Sequence, residues 1–250
     1  MSNELRTQWP LTAAIMLLVL SATVGIGAQT VTVPPDQTLF TTYNLDAALT
    51  SVGWIVCGST QQSSGCYTSG SLGPFGKVGA LLEGSPSWNR TKNTVVRDIY
   101  VLDVATGSSS NGVSLYVYKR TDTVTATFDT VTVTLSKTVS LPLLIGGSSA
   151  LSSMAANKNF LFIGTNQSPN GLELQKGTFT ITPIGGFVPP INVTAISADR
   201  YGYVTVTFGN FGGGESGFAV FGPDGALRED GGGPSFMLNT VQAVLPSTLP

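Results

Sequence analysis

Between Ile191 and Leu227 the chain reads INVTAISADRYGYVTVTFGNFGGGESGFAVFGPDGAL, and apolar residues recur there at every second position in short runs cut by turn residues. Val193-Thr-Ala-Ile-Ser is one run, Tyr203 to Phe208 alternates apolar and hydroxyl side chains, and Gly217-Phe-Ala-Val-Phe is a third. A period of two sends successive side chains to opposite faces of an extended chain, so each run reads as a half-buried β-strand. Gly222-Pro-Asp-Gly225 marks a reversal: proline presets the first turn residue, aspartate bonds its own backbone and glycine takes the positive φ of a tight turn. The unit is strand, turn, strand, loop, strand, turn.

The same signals recur three more times. One copy has Val52 to Cys57, a loop from Gly58 to Gly65, Cys66 to Ser69, and Lys77 to Leu82. Another has Asp98 to Val104, a loop from Ala105 to Gly112, and Val113 to Tyr118, followed by an alternating insertion around Thr121 to Ser149. A third has Asn159 to Ile163, a loop from Gly164 to Gly171, Leu172 to Gln175, and Thr178 to Thr182. With Trp54, Tyr100, Leu161 and Tyr203 as equivalent points, the intervals are 46, 61 and 42 residues. A meander of this size cannot bury both faces alone, so the copies must pack on one another. Radial packing leaves only short edges exposed. The expected fold is all-β, a small propeller of four to five blades over residues 38–250, with Ser235 to Val244 as a closing strand; a β-sandwich is the alternative.

The Ile191–Leu227 unit resembles a blade of the NHL-type β-propellers, in Ala198-Asp199, Gly202-Tyr203-Val204 and Val220-Phe221-Gly222-Pro223-Asp224-Gly225. That resemblance covers one unit and implies a fold, not an activity. The texture of the whole chain also resembles that of exported bacterial proteins.

Leu11 to Val24 is an uncharged apolar run ending in the small residues Gly25-Ile-Gly-Ala28. Residues 1–28 therefore read as a signal peptide, helical and cut near Ala28. The run falls short of the roughly 20 residues that span a bilayer, so membrane contact is expected only through this segment if it stays uncleaved. Gln29 to Gln37, with Pro34-Pro35, reads as an extended linker. Cys57 and Cys66 are the two cysteines, and an oxidising compartment favours joining them. The expected location is secreted, periplasmic or on the cell surface.

Only 10% of residues are charged and the net charge is −2, so the surface is largely Ser, Thr, Asn, Gln and Gly. Nucleic acid is not an expected partner, since phosphate binding needs clustered Lys and Arg. The one adjacent basic pair, Lys119-Arg120, reads as a solvated strand end. Histidine is absent, which removes Ser-His-Asp and Cys-His catalysis and histidine-ligated metal sites. Carboxylate chemistry survives that exclusion.

Asp98, Asn157 and Asp199 each precede the best strand of their copy, which would set three oxygen ligands of the kind calcium takes on one face. The alternative is that each caps a turn. Asp103 interrupts an apolar strand and reads as buried and paired, while Glu229-Asp230 reads as a solvated turn. The loops after the first strand of each copy contain Thr60, Gln61 and Gln62, then Asn111, then Asn166 and Gln167, then Asn210 and Phe211. Such side chains recognise neutral polar ligands, with Phe211 or Trp88 as a stacking surface. Asn89-Arg-Thr91, Asn166-Gln-Ser168 and Asn192-Val-Thr194 match the N-glycosylation sequon.

These features point to a non-catalytic binding or surface module whose loops at one propeller face recognise a glycan or an extracellular protein, with no required cofactor. Two other readings are a carboxylate- or calcium-dependent hydrolase or lyase acting on carbohydrate or lactone, and a self-assembling surface protein.

Overall fold

The computed structural model describes residues 28–33, 38–59, 64–67, 70–104, 113–125, 129–141, 152–165, 171–183, 192–209 and 216–233. The segment expected to be a signal peptide, up to residue 27, and the stretch Ser235 to Val244 expected as a closing strand lie outside them. Among the described residues every regular element is a β-strand except one 3-10 turn, Arg90–Lys92. The strands are β1 (Gln29–Val33), β2 (Thr38–Leu45), β3 (Val52–Ser59), β4 (Ser64–Tyr67), β5 (Ser71–Leu72), β6 (Val78–Glu83), β7 (Ser87–Asn89), β8 (Thr94–Asp103), β9 (Val113–Val124) and β10 (Asp129–Leu141). They continue with β11 (Ser152–Ala156), β12 (Phe160–Thr165), β13 (Gly171–Gln175), β14 (Ile181–Pro183), β15 (Asn192–Ala198), β16 (Val204–Gly209), β17 (Ser216–Phe221) and β18 (Leu227–Gly233).

These strands make four antiparallel sheets. The first holds β2, β3 and β4, with β5 also pairing β3; the second runs β1-β10-β9-β8-β6, with β7 also on β8; the third is β11 to β14 and the fourth β15 to β18. Alternation explains how they stack. In β8, Ile99 and Val101 point to one side and pack with Val52, Trp54 and Val56 of the first sheet. Tyr100 and Leu102 point to the other side and pack with Leu161, Ile163, Leu172 and Leu174 of the third. The third sheet's opposite face carries Phe162, which meets Val204, Val206, Ala219 and Phe221 of the fourth. The four sheets thus pack face to face in series, and the two inner ones bury both faces. None of the three buried clusters bridges the first and fourth sheets.

One bulge lets a single strand serve two cores. The register of β10 against β9 shifts between Leu135 and Lys137, which reverses which parity faces which sheet. Val131 and Val133 lie with the first sheet, and Val139 and Leu141 with the third.

Three differences from the sequence reading have physical causes. Gln29–Val33 is a strand on β10 rather than a linker, paired Val31 to Val131 and anchored by Gln29, whose Oε1 accepts from Trp54 Nε1 at 3.0 Å. Val78–Glu83, read as the last strand of the first copy, opens the second sheet by pairing with β8. The insertion is the long β9–β10 hairpin of that sheet; among the described residues it adds no further sheet.

Arg120 corrects a fourth expectation. It is 3% exposed, not solvated, because it shares a strand face with Asp122 two residues on. Its guanidinium donates to both Asp122 oxygens, at 2.7 and 3.0 Å, and to Glu83 at 3.3 Å, while Arg97 donates to Asp122 at 2.7 Å. Burial opposes the charge on Arg120, but Asp122 and Glu83 outweigh it and hold its pKa above the ordinary value. Charges removed from water persist only when paired in this way.

Two substitutions test these contacts. Phe162→Ala, at the seam of the third and fourth sheets, should cost about 3–5 kcal/mol by opening a cavity, read from urea unfolding. Asp122→Ala should cost about 3 kcal/mol, since it leaves the buried Arg120 guanidinium with only Glu83 as a partner; a loss no larger than that of an exposed control such as Ser140→Ala would contradict the pairing.

Candidate functional site

Several amide and charged side chains meet at one end of the second, third and fourth sheets, where the chain turns tightly. Asn157 occupies the β11–β12 turn: its Oδ1 accepts from the backbone N–H of Asn159 and Phe160, at 2.9 and 2.8 Å. Its Nδ2 donates to the Gly202 carbonyl at 2.8 Å, which lies in the β15–β16 turn. There Asp199 plays the matching part, its Oδ1 accepting from Tyr201 and Tyr203 N–H at 2.8 and 2.9 Å. Gly202 sits at φ +90°, and a Cβ there would meet Pro223 at 3.1 Å, so only glycine suits the position.

Lys176, in the β13–β14 turn, extends the seam to the second sheet. Its Nζ donates to the Asn157 carbonyl at 2.7 Å and lies 5.6 Å from the centroid of the Tyr100 ring, a cation–π contact. Burial lowers its pKa, with Asp98 opposing. Tyr100 donates to Asp98 Oδ2 at 3.3 Å. Asn159 reaches the Pro223 carbonyl at 3.3 Å, and burial followed by the nearby Asp224 charge raises the pKa of Glu173. Asn157 and Asp199 thus take the turn-capping role weighed for them, whereas Asp98 lies within β8 rather than before it and accepts from Tyr100. Among the described residues no group of three or more His, Cys, Asp or Glu side chains is placed to hold a metal ion. Asp103 is 6% exposed and accepts from Gly76 and Lys77 N–H, both at 2.8 Å. Glu229 and Asp230 are exposed but lie within β18, not in a turn.

The other end is where β8 leads to β9, β12 to β13 and β16 to β17. The loop residues Asn111, Asn166, Gln167, Asn210 and Phe211 lie outside the described residues, but the strands that flank them all finish at this end. Thr60, Gln61 and Gln62 are likewise outside, and their flanking strand is oriented differently. β3 starts beside the start of β6, where Val78 N–H donates to the Leu49 carbonyl at 2.7 Å, and runs away from the point where β8 ends. Trp88 is 60% exposed on β7, which pairs with the beginning of β8. The strand ends that flank 105–112, 166–170 and 210–215 thus lie together, and Trp88 and the end of β3 lie apart from them.

Cys57 and Cys66 form a disulfide between directly paired positions of β3 and β4. Among the described residues no helix is long and apolar enough to cross a membrane. No family model and no curated protein matches the chain.

Sequence reasoning missed Lys176 and the Arg97–Arg120–Asp122–Glu83 set. Lys176 carries no local signal, because its partners Tyr100 and Asn157 come from other hairpins. Arg120 and Asp122 carried one, opposite charges at i and i+2 inside an alternating strand.

Three tyrosines, Tyr100 and Tyr118 buried and Tyr43 half-buried, set the pH response. Burial, then the charge of Glu83, pushes Tyr43 up to about 12; burial raises Tyr118 to about 12; burial and then Asp98 raise Tyr100 further. A phenol whose folded pKa lies above its unfolded value of about 10 stabilises the fold fully below that pH and progressively less as pH rises. Stability should therefore fall between about pH 10 and 12, with tyrosinate absorbance appearing together with loss of β-sheet circular dichroism. Tyrosinate forming in full while the sheets stay folded would contradict the burial.

Proposed function

We propose that the chain is an exported, non-catalytic binding or surface module that recognises a neutral polar ligand, a glycan or an extracellular protein, through loops at one end of a propeller-like array. The observation that supports this reading is that the strands bracketing 105–112, 166–170 and 210–215 finish at a common end of three sheets. Ligand sites commonly sit on loops held by a rigid scaffold. The charged groups support it as well: Arg97, Arg120, Asp122, Glu83 and Asp103 are engaged in structural pairs and backbone hydrogen bonds. The disulfide accords with an oxidising compartment.

The propeller reading, with its NHL-type resemblance, rests on sheet order. The third and fourth sheets follow chain order, as does the second from β6 through β8 and β9 to β10, and β6 lies beside β11 and β11 beside β15, as inner strands around an axis do. The first sheet departs from this scheme, since β1 has joined the second. In a closed ring, Ser235 to Val244 fills the gap between the fourth sheet and the first.

A glycan array probed with the secreted protein tests the reading. Asn111→Ala and Asn166→Ala should each weaken binding about fivefold or more, the worth of a lost hydrogen bond, and Trp88→Ala should leave it unchanged. Binding that depends on Trp88 and ignores both asparagines would move the site to the other end; no binding to glycans or to extracellular proteins would remove the reading.

A further inference from the structure

Among the described residues the third sheet packs on the second only as far as Tyr100 and Val117, and beyond them the same face of the second sheet is a lattice of threonines, partly exposed on β8, β9 and β10 and exposed on β1. The pairing registers set Thr32, Thr130, Thr123, Thr94 and Asn89 in one rank across β1, β10, β9, β8 and β7. Thr30, Thr132, Thr121, Val96 and Ser87 form the next rank. All ten share one face, because the alternate residues Val31, Val131 and Val133 point the other way into the core with the first sheet. Both ranks are free of charge, and the nearest charged positions on that face, Lys119 and Asp98, lie in the rank beyond.

We propose that this face binds the ordered water of an ice surface. Threonine offers a hydroxyl that both donates and accepts, beside a methyl group that water cannot bond. Pairing fixes these groups at about 4.8 Å between strands and about 6.6 Å along them. Liquid water has no matching long-range order, whereas a crystal of water does. The Thr30 and Thr132 hydroxyls lie 3.1 Å apart and exposed, so neighbouring columns are tied to each other. The underside is held by the packed valines and by the Arg120–Asp122 pair, which keeps the ranks in place.

Other partners fit this face less well. A small ligand needs a concave site with converging polar groups, and an open sheet face supplies none. A protein hot spot is built on aromatic or arginine anchors; Trp88 is opposite Val95 and projects to the other side of the sheet. A polyanion needs cations. Threonine also favours strands for its own sake, and the variants below separate that role from binding.

The test is ice shaping and thermal hysteresis of the full chain. The expected result is faceted crystals and a measurable freezing gap, both lost in Thr132→Lys and retained in Ser140→Lys, which places the same charge on β10 beyond the ranks. Thr30→Lys, on the exposed first strand, gives the same readout if Thr132→Lys does not fold, and circular dichroism reports folding for each. Absence of any effect on ice by the folded wild-type chain, or full activity in both Thr variants, overturns the proposal. Retention on crystalline polysaccharide that both variants lose, with no effect on ice, also overturns it and reassigns the face to a solid glycan.

Discussion

A β-sheet with apolar side chains on both faces is stable only when both faces are covered, and two sheets here are of that kind. The second presents Ile99 and Val101 to one side and Tyr100 and Leu102 to the other; the third presents Leu161 and Ile163 against Phe162. Burial on both sides forces a stack of at least four layers, the outermost of which need only one apolar face. The bulge in β10, the placement of β1 and the alignment of the turns all follow from keeping those faces in register.

The few charges in the chain are used to hold this stack together. Arg97, Arg120, Asp122 and Glu83 join strands of the second sheet on the side that faces the first, and Lys176 with Asn157 links the second, third and fourth sheets. A buried ion pair contributes little net stability against an apolar substitute, but breaking one is costly, so such groups specify arrangement more than they stabilise it. The chain is otherwise sparsely charged, with Glu229, Asp230 and the Arg228–Asp224 pair exposed, and neutral hydroxyl and amide groups are the chemistry on which the loop-end and threonine-face readings both draw.

Much of the fold was legible because period-two alternation survives in strands that bury a face. Val52 to Cys57, Asp98 to Val104, Asn159 to Ile163 and Tyr203 to Phe208 all fall on observed strands. Two of the strands missed carry no such pattern: β18 is Leu-Arg-Glu-Asp-Gly-Gly-Gly with its first four residues exposed, and β11 is Ser-Ser-Met-Ala-Ala; β1 does alternate, in Thr30-Val31-Thr32-Val33, but the Pro34-Pro35 that follows made it read as a linker. Sheet membership was also hidden, since whether Val78–Glu83 closes one sheet or opens the next depends on Asp103 and Val78 pairing across a long connection. Of the candidate site, the turn residues Asn157 and Asp199 were visible as strand-preceding amide and acid. The threonine ranks were not, because each strand shows only its own alternation and the ranks exist only once β1, β10, β9 and β8 are set side by side.

The serial packing of the sheets is the claim on which the rest depends, and methyl–methyl nuclear Overhauser contacts measure it directly. Contacts should join Val56 to the Ile99–Val101 side of the second sheet, Leu115 and Leu141 to Leu161 and Leu172 of the third, and the third sheet's outer face to Val204 and Val206 of the fourth. No contact should run from Val56 to Leu172, because the second sheet lies between them. Contacts that place the first and third sheets' methyl groups in one shared core would contradict the account.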